Sequence, residues 1–401
     1  MTIVLVMICM AGCVSLPQRA SVPQALADKA LLEGMDRPVR IWGDESPPGI
    51  EEEIAIRNRQ ALSRFGGTDP KEVSKQTPEL SFLAISGGGA DGAFGAGLLN
   101  GWTAHGSRPE FEIVTGVSTG ALIAPFAFLG SDYDDELKEA YTKLSSKNII
   151  ETGVFNILEA IFGGIAIGDT TPFARTIRQY ATREMFDKIA EEHNKGRRLF
   201  IGTTNLDAER SVIWDIGRLA NSGAPDALFM FHKILRASAA IPGAMPPVIF
   251  DVTANGRNYQ ELHVDGGVTS QVFIYPVELE LNKYIPKEDR ENRRLFVIRN
   301  SKITPEYNPV KTSLFDISAE SIGALIKNQG IGDLYKLSKI AERDGFLFHF
   351  ATVPSEFNAK SHEAFDPDYM SALYDLGYKM AIEGYPWRND PTKIPYNKFE
   401  R

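Results

Sequence analysis

The stretch that decides the fold is FEIVTGVSTGALIAPFAF, residues 111–128. An apolar run of strand character leads straight into Gly116-Val117-Ser118-Thr119-Gly120, and a strongly apolar helical run leaves it. The pattern G-x-S-x-G arises by chance in glycine-rich chains. A strand before it and a helix after it make it read as a nucleophile elbow. In such an elbow the serine sits on a very sharp turn, whose neighbours two before and two after clash unless they lack side chains. Gly116 and Gly120 stand at those places. The turn lifts the Ser118 hydroxyl clear of the sheet at the start of a helix, where unpaired N–H groups and the helix dipole favour developing negative charge. Pro125 is expected to kink that helix near its first turns.

A serine nucleophile needs a cradle for the oxyanion and a base. Upstream, FLAISGGGADGAFGAG (82–97) is a short apolar strand running into a glycine loop. Gly87, Gly89 and Gly92 satisfy the G-x-G-x-x-G spacing of a dinucleotide fold. Such a fold also wants an acid at the end of the next strand, about twenty residues on. Here that strand ends in Gly116-Val117-Ser118, and Glu112 lies near its beginning. The 87–92 loop therefore reads as the cradle, its successive glycines free to turn N–H groups inward.

For the base, histidine held by a carboxylate is the common solution. None of His105, His193, His232, His263, His349 and His362 sits in a loop after a strand with a site signature, and His349 in FLFHFATV reads as a strand side chain. LHVDGGV (262–268) instead puts Asp265 at a strand end, followed by Gly266 and Gly267, which allow a tight turn. A buried Asp beside a serine hydroxyl can act as base directly when desolvation raises its pKa. Taken alone, DGG is a simple turn. His263 shares a strand face with Asp265, as a packing residue or a neighbour of the site.

Around these motifs the 401 residues have an ordinary globular composition, 43% apolar and 24% charged. A formal charge of −9 provides no basic field to collect phosphates, which argues against a general nucleic-acid binder. No metal-ligand cluster is visible. The first residues, TIVLVMICMAGC, are uncharged and too short to span a bilayer, fitting the apolar core of a secretion signal. Met10-Ala11-Gly12-Cys13 resembles a bacterial lipoprotein signal in which Cys13 would be lipidated, giving an exported, membrane-attached protein of the cell envelope. It departs from that pattern in Met10 and in the lack of a preceding Lys or Arg; the alternative is a buried N-terminal strand. The only thiols are Cys9 and Cys13, so the body offers no disulfide framework, no Cys zinc site and no Cys nucleophile.

Residues 14–77 are polar and punctuated by proline, and read as a tether followed by a short exposed helix. From about residue 78, strands and helices alternate, predicting an α/β fold with a mostly parallel sheet covered on both faces. Strands are expected at 82–86, 111–117, 198–206, 211–216, 259–267 and 294–300. Helices are expected at 94–104, 119–129, 133–144, 172–192, 230–239, 316–344 in pieces, and 369–383. The last reads as a packed amphipathic helix with no chemistry. ILEAIFGGIAIG (157–168) reads as buried helix or as a flap over an apolar site.

Taken in order, GGGADGAFGAG, GVSTG and VDGG resemble the patatin-like phospholipase family, as do RASAAIPGAMPPV (236–248) and TTNLDAER (203–210). The resemblance covers roughly residues 80–300. It implies a three-layer α/β/α sandwich, a Ser–Asp dyad without histidine, no cofactor or metal, and hydrolysis of acyl esters of lipids at a membrane surface. Carried over by motif, Ser118 would be the nucleophile, Asp265 the base, and Gly87, Gly88 and Gly89 the oxyanion loop. Gly92, Gly116, Gly120, Gly266 and Gly267 would support the turns. On this reading 78–300 is the catalytic domain and 301–401 a helical extension packed on it. The family commonly carries Arg or Lys where Asp91 stands, and its DGG is often followed by Asn-x-Pro where this chain has Val268-Thr269-Ser270. Rival readings are a dinucleotide-binding oxidoreductase, a surface binding protein that kept the elbow, and an acyltransferase using the same pair. The sequence leaves the oligomeric state open.

Overall fold

The computed structural model describes residues 19–64, 80–149, 170–284, 292–307 and 309–394. The segment 157–168 and the signal-like start with Cys13 lie outside them. In chain order the elements are β1 (Leu31–Leu32), β2 (Arg40–Trp42), α1 (Ile50–Arg64), β3 (Leu80–Ile85), α2 (Gly92–His105), β4 (Ile113–Val117), α3 (Thr119–Leu129), α4 (Asp134–Thr142) and α5 (Ser146–Ile149). There follow α6 (Thr171–Tyr180), α7 (Arg183–Asn194), β5 (Arg198–Asn205), β6 (Arg210–Asp215), α8 (Ile216–Ala220), α9 (Ala227–Ser238), β7 (Val248–Ala254) and β8 (Arg257–Asp265). The chain closes with β9 (Arg293–Arg299), α10 (Leu314–Asp344), β10 (Leu347–Thr352) and α11 (Pro367–Ile382).

All the strands join one sheet, in the order β1-β7-β8-β5-β4-β3-β9-β10, with β6 on β5 and β2 on β6. The expected parallel arrangement holds for the run β5-β4-β3-β9-β10. The rest is antiparallel: β5–β6 and β7–β8 are hairpins, while β1–β7, β2–β6 and β5–β8 pair strands distant in sequence. One hairpin, β7–β8, turns on Asn255-Gly256, both at positive φ (49° and 72°). That Asn-Gly pair is a strong two-residue hairpin signal, and it accounts for β7, a strand absent from the periodicity reading.

Alternation along β3 builds the layers. Leu83 and Ile85 join a core with α2, α3 and α11, while Phe82 and Ala84 face Leu334, Leu337 and Ile340 of α10 on the other side. The sheet is thus covered by helices on both faces. The expected helix 172–192 is broken at Ala181-Thr182, where the Thr182 hydroxyl caps α7 by accepting from the Met185 N–H at 3.1 Å. Conversely, the expected pieces of 316–344 form one continuous helix, capped by Ser313 and ended by Gly345 at φ 75°. Part of the stretch read as a tether is built into the body. Ala30, Leu32, Val39 and Trp42 are buried, and Arg40 pairs with Glu261. Apolar residues spaced among charges supply two short edge strands there, which composition alone does not register.

Candidate active site

β5 explains how residues 147 positions apart in sequence meet. Along one edge it carries β4, whose last residue Val117 pairs with Gly202. The next residue of β5, Thr203, pairs on that same edge with Asp265, the last residue of β8. The two strands abut end to end, so Ser118, one step beyond Val117, comes against Asp265. The Ser118 side chain lies against the Asp265 carboxylate, close enough to draw that carboxyl's pKa downward.

Ser118 has φ 56° and ψ −125°, a conformation an L-residue adopts only when its surroundings enforce it. The enforcement is visible. A Cβ on Gly116 would run into the carbonyl of Gly120, and one on Gly120 into the carbonyl of Ile85. The sharp turn read from GVSTG is therefore present, and its glycines stand where backbone meets backbone. Ser238, the last residue of α9, secures the junction: its hydroxyl accepts from the Ser118 N–H at 3.0 Å and donates to the Gly202 carbonyl at 2.6 Å. The segment 236–248 also holds the acid, because the Ala240 carbonyl accepts from the Asp265 N–H at 3.0 Å.

Asp265 is buried, and desolvation pushes its carboxyl up to about 6 against the opposing pull of Ser118 and the Gly267 N–H. That amide donates to Oδ1 at 2.7 Å. Gly266 and Gly267 begin a single 3-10 turn that fixes the acid's side chain.

Gly87, Gly88 and Gly89 lie beside the serine. A Cβ on Gly87 would come within 3.1 Å of Ser118 Cβ. The three amides are not equivalent. The Gly87 N–H donates to the Gln271 carbonyl at 3.1 Å and is occupied. Those of Gly88 and Gly89 have no hydrogen-bond partner among the described residues. Gly89, at φ 57°, lines the cavity in front of Ser118. Gly92 packs against Thr119 and Tyr141, where the first turn of α2 meets the elbow helix.

Sequence reasoning passed over the residues that hold these turns. Asn300, directly after β9, is fully buried. Its N–H donates to the Ser86 hydroxyl (2.9 Å), its Nδ2 to the Ser86 carbonyl (2.9 Å), and its Oδ1 accepts from the Gly95 N–H (3.1 Å). Gln271 links the two glycine turns, since its carbonyl holds Gly87 and its Nε2 donates to the Gly267 carbonyl at 3.2 Å. Asp333 of α10 accepts the Gln271 N–H at 2.7 Å. A polar residue at a strand end was a usable signal for Asn300, as Asp265 was. Nothing in the sequence around Asp333 set it apart.

The cavity in front of Ser118 is lined almost entirely by apolar side chains, among them Leu122, Phe126, Phe173, Ile177, Met245 and Met370. Among the described residues, no histidine lines it. His263 is turned into a separate buried network, with Nδ1 at 2.9 Å from the Thr203 hydroxyl and Nε2 at 3.2 Å from Glu261. His349 sits in β10, stacked on Phe296. A serine hydroxyl paired to a desolvated carboxylate, with free amides at one side and an apolar cavity in front, can attack a carbonyl attached to an apolar chain.

Residues 83–277 match the family model described as patatin-like phospholipase. Among solved structures, the chain is similar to VipD from Legionella pneumophila, at 13% identity and a TM-score of 0.40 over 77% of this chain and 66% of that one. It is also similar to human GIVD cytosolic phospholipase A2, at 10% identity and a TM-score of 0.34 over 80% of this chain and 56% of that one. The chain thus spans just under two thirds of the first and little more than half of the second. No curated protein matches it.

Proposed function

We propose that this protein, whose residues 83–277 match the patatin-like phospholipase family model, is a serine acyl hydrolase that cleaves acyl esters of lipids through a Ser118–Asp265 dyad. The observation that carries the reading is the juxtaposition of the strained Ser118 and the buried Asp265, set side by side by β5, at the mouth of an apolar cavity. Asp265 accepts the hydroxyl proton as Oγ attacks the ester carbonyl. The tetrahedral oxyanion rests on the N–H groups of Gly88 and Gly89, while Gly87, whose amide is held by Gln271, shapes the loop. Collapse of the intermediate expels the alcohol, which takes the proton from Asp265. Water, deprotonated by the same carboxylate, then releases the acid and restores Ser118. The cavity receives the acyl chain, because it offers that chain apolar contact and almost nothing to hydrogen-bond.

We also propose that the chain acts at a membrane surface, held there by lipid on Cys13. The lipoprotein-like Met10-Ala11-Gly12-Cys13 supports this, and mass spectrometry of membrane-extracted protein tests it.

The deciding experiment pairs hydrolysis of a chromogenic acyl ester with labelling by a fluorophosphonate. Wild-type protein is expected to hydrolyse the ester and to be labelled at Ser118. Ser118→Ala is expected to lose labelling and to slow by a factor on the order of 10⁴ or more. An unlabelled, inactive wild type would favour a binding protein, and a fully active Ser118→Ala would end the assignment.

A further inference from the structure

α11 lies outside the residues that match the family model, and its sequence marks it only as a packed helix. The structure gives it a closer association with the site. It lies along α2 at backbone contact distance: a Cβ on Gly97 would strike the Tyr374 carbonyl, one on Gly101 the Tyr378 carbonyl, and one on Gly377 the Phe94 carbonyl. The Asn100 amide adds a hydrogen bond to the Tyr374 hydroxyl at 2.8 Å. Helix α2 grows directly from the 3-10 turn Gly89–Asp91. At that end the Tyr369 hydroxyl donates to Asp91 Oδ1 at 2.7 Å, and the Asp91 N–H donates to the Gly88 carbonyl at 3.1 Å. Met370, the next residue of α11, lines the cavity in front of Ser118.

We propose that Tyr369 and Asp91 are positioning residues of the acyl-transfer site. Their hydrogen bond ties the turn that carries the Gly88 and Gly89 amides to α11, and so sets where those donors meet the oxyanion. The inference rests on the acyl-hydrolase reading of the site. Lys302 and Lys327 both pair with Glu306, so the phenol is the group that bonds Asp91 directly. An oxyanion donor stabilises charge that exists only in the transition state, so a displaced donor lowers kcat and leaves KM alone.

The test uses the full chain and a chromogenic acyl ester, with kcat and KM measured separately and each variant checked by thermal melting. Tyr369→Phe and Asp91→Ala are each expected to lower kcat by about tenfold, with KM changed by less than about twofold. Asp91→Asn, whose amide oxygen still accepts from the phenol, is expected to recover most of the rate lost in Asp91→Ala. Wild-type kcat in Tyr369→Phe, a loss confined to KM, or an Asp91→Asn as impaired as Asp91→Ala would each overturn the proposal. Should Tyr369→Phe fail to fold, the Asp91 pair decides. Ser118→Ala in the same assay separates the two levels. If its activity persists, the acyl-hydrolase reading itself fails. If its activity vanishes while Tyr369→Phe keeps full kcat, only the positioning proposal fails.

Discussion

Asp265 is buried and Asp91 half-buried, both have carboxyls pushed up to about 6 by desolvation, and each meets one hydroxyl. The partner of Asp265 is Ser118, and that of Asp91 is Tyr369. The pairs differ in what surrounds the hydroxyl. Ser118 is held at φ 56°, with unengaged amides beside it and an apolar cavity in front. Tyr369 lies in the regular first turn of α11, and desolvation together with Asp91 raises its phenol further above the ordinary value. Backbone strain, N–H donors without a partner among the described residues and an apolar cavity in front set the first pair apart from the second.

The strongest way to break this contrast is Asp265→Asn, which keeps the shape and removes the base. Its kcat is expected to fall by a factor on the order of 10³ in the ester assay. The same variant is expected to be more stable than wild type at pH 8. Folding raises this carboxyl from 3.8 to about 6, so the folded state holds its proton more tightly and stability falls as pH rises through that window. Above it, the ionised Asp265 costs on the order of 1–3 kcal/mol, which Asn avoids. Urea unfolding at pH 8 and pH 4 checks both the gain and its disappearance in acid.

Gly88→Ala comes next. Its new methyl would strike the Asn300 carbonyl and push the loop away, and losing an oxyanion donor costs roughly 10²–10³ in kcat. Retained activity would place the oxyanion elsewhere. The pH profile gives a smaller but sharper test. The rate is expected to rise with pH through about 6, as Asp265 ionises, and then to level off. Asp91→Asn should leave that midpoint in place, since Asp91 touches no reacting atom. A midpoint that disappears with Asp91 would exchange the roles of the two acids.

Much of the site was legible because its chemistry demands particular letters. A sharp elbow permits little besides glycine at 116 and 120, and an acid at a strand end followed by two glycines stands out. What the letters could not give was register. That β4 and β8 share one edge of β5, with Val117 and Asp265 opposite consecutive residues, follows from long-range pairing that no local pattern encodes. The supporting polar residues were hidden for a related reason. Asn300, Gln271 and Asp333 act by accepting and donating to backbone on other elements, and such partners are invisible until the chain is folded. The antiparallel half of the sheet went unread where short strands lie among charged and proline-rich residues, as around Trp42. Gly87 was grouped with its neighbours by spacing, and only the Gln271 carbonyl distinguishes it.

The matched residues end at 277, yet β3, the strand that delivers the glycine loop, has β4 on one side and β9 on the other. A gene fragment trimmed to the recognisable motifs would leave the flank of β3 bare, an open template for another chain to add to. It would also lose the helix that shields Phe82 and Ala84. The smallest portion worth expressing, fusing or grafting is therefore set by the neighbours of β3, and it reaches through α11 towards the last described residue, Ile394.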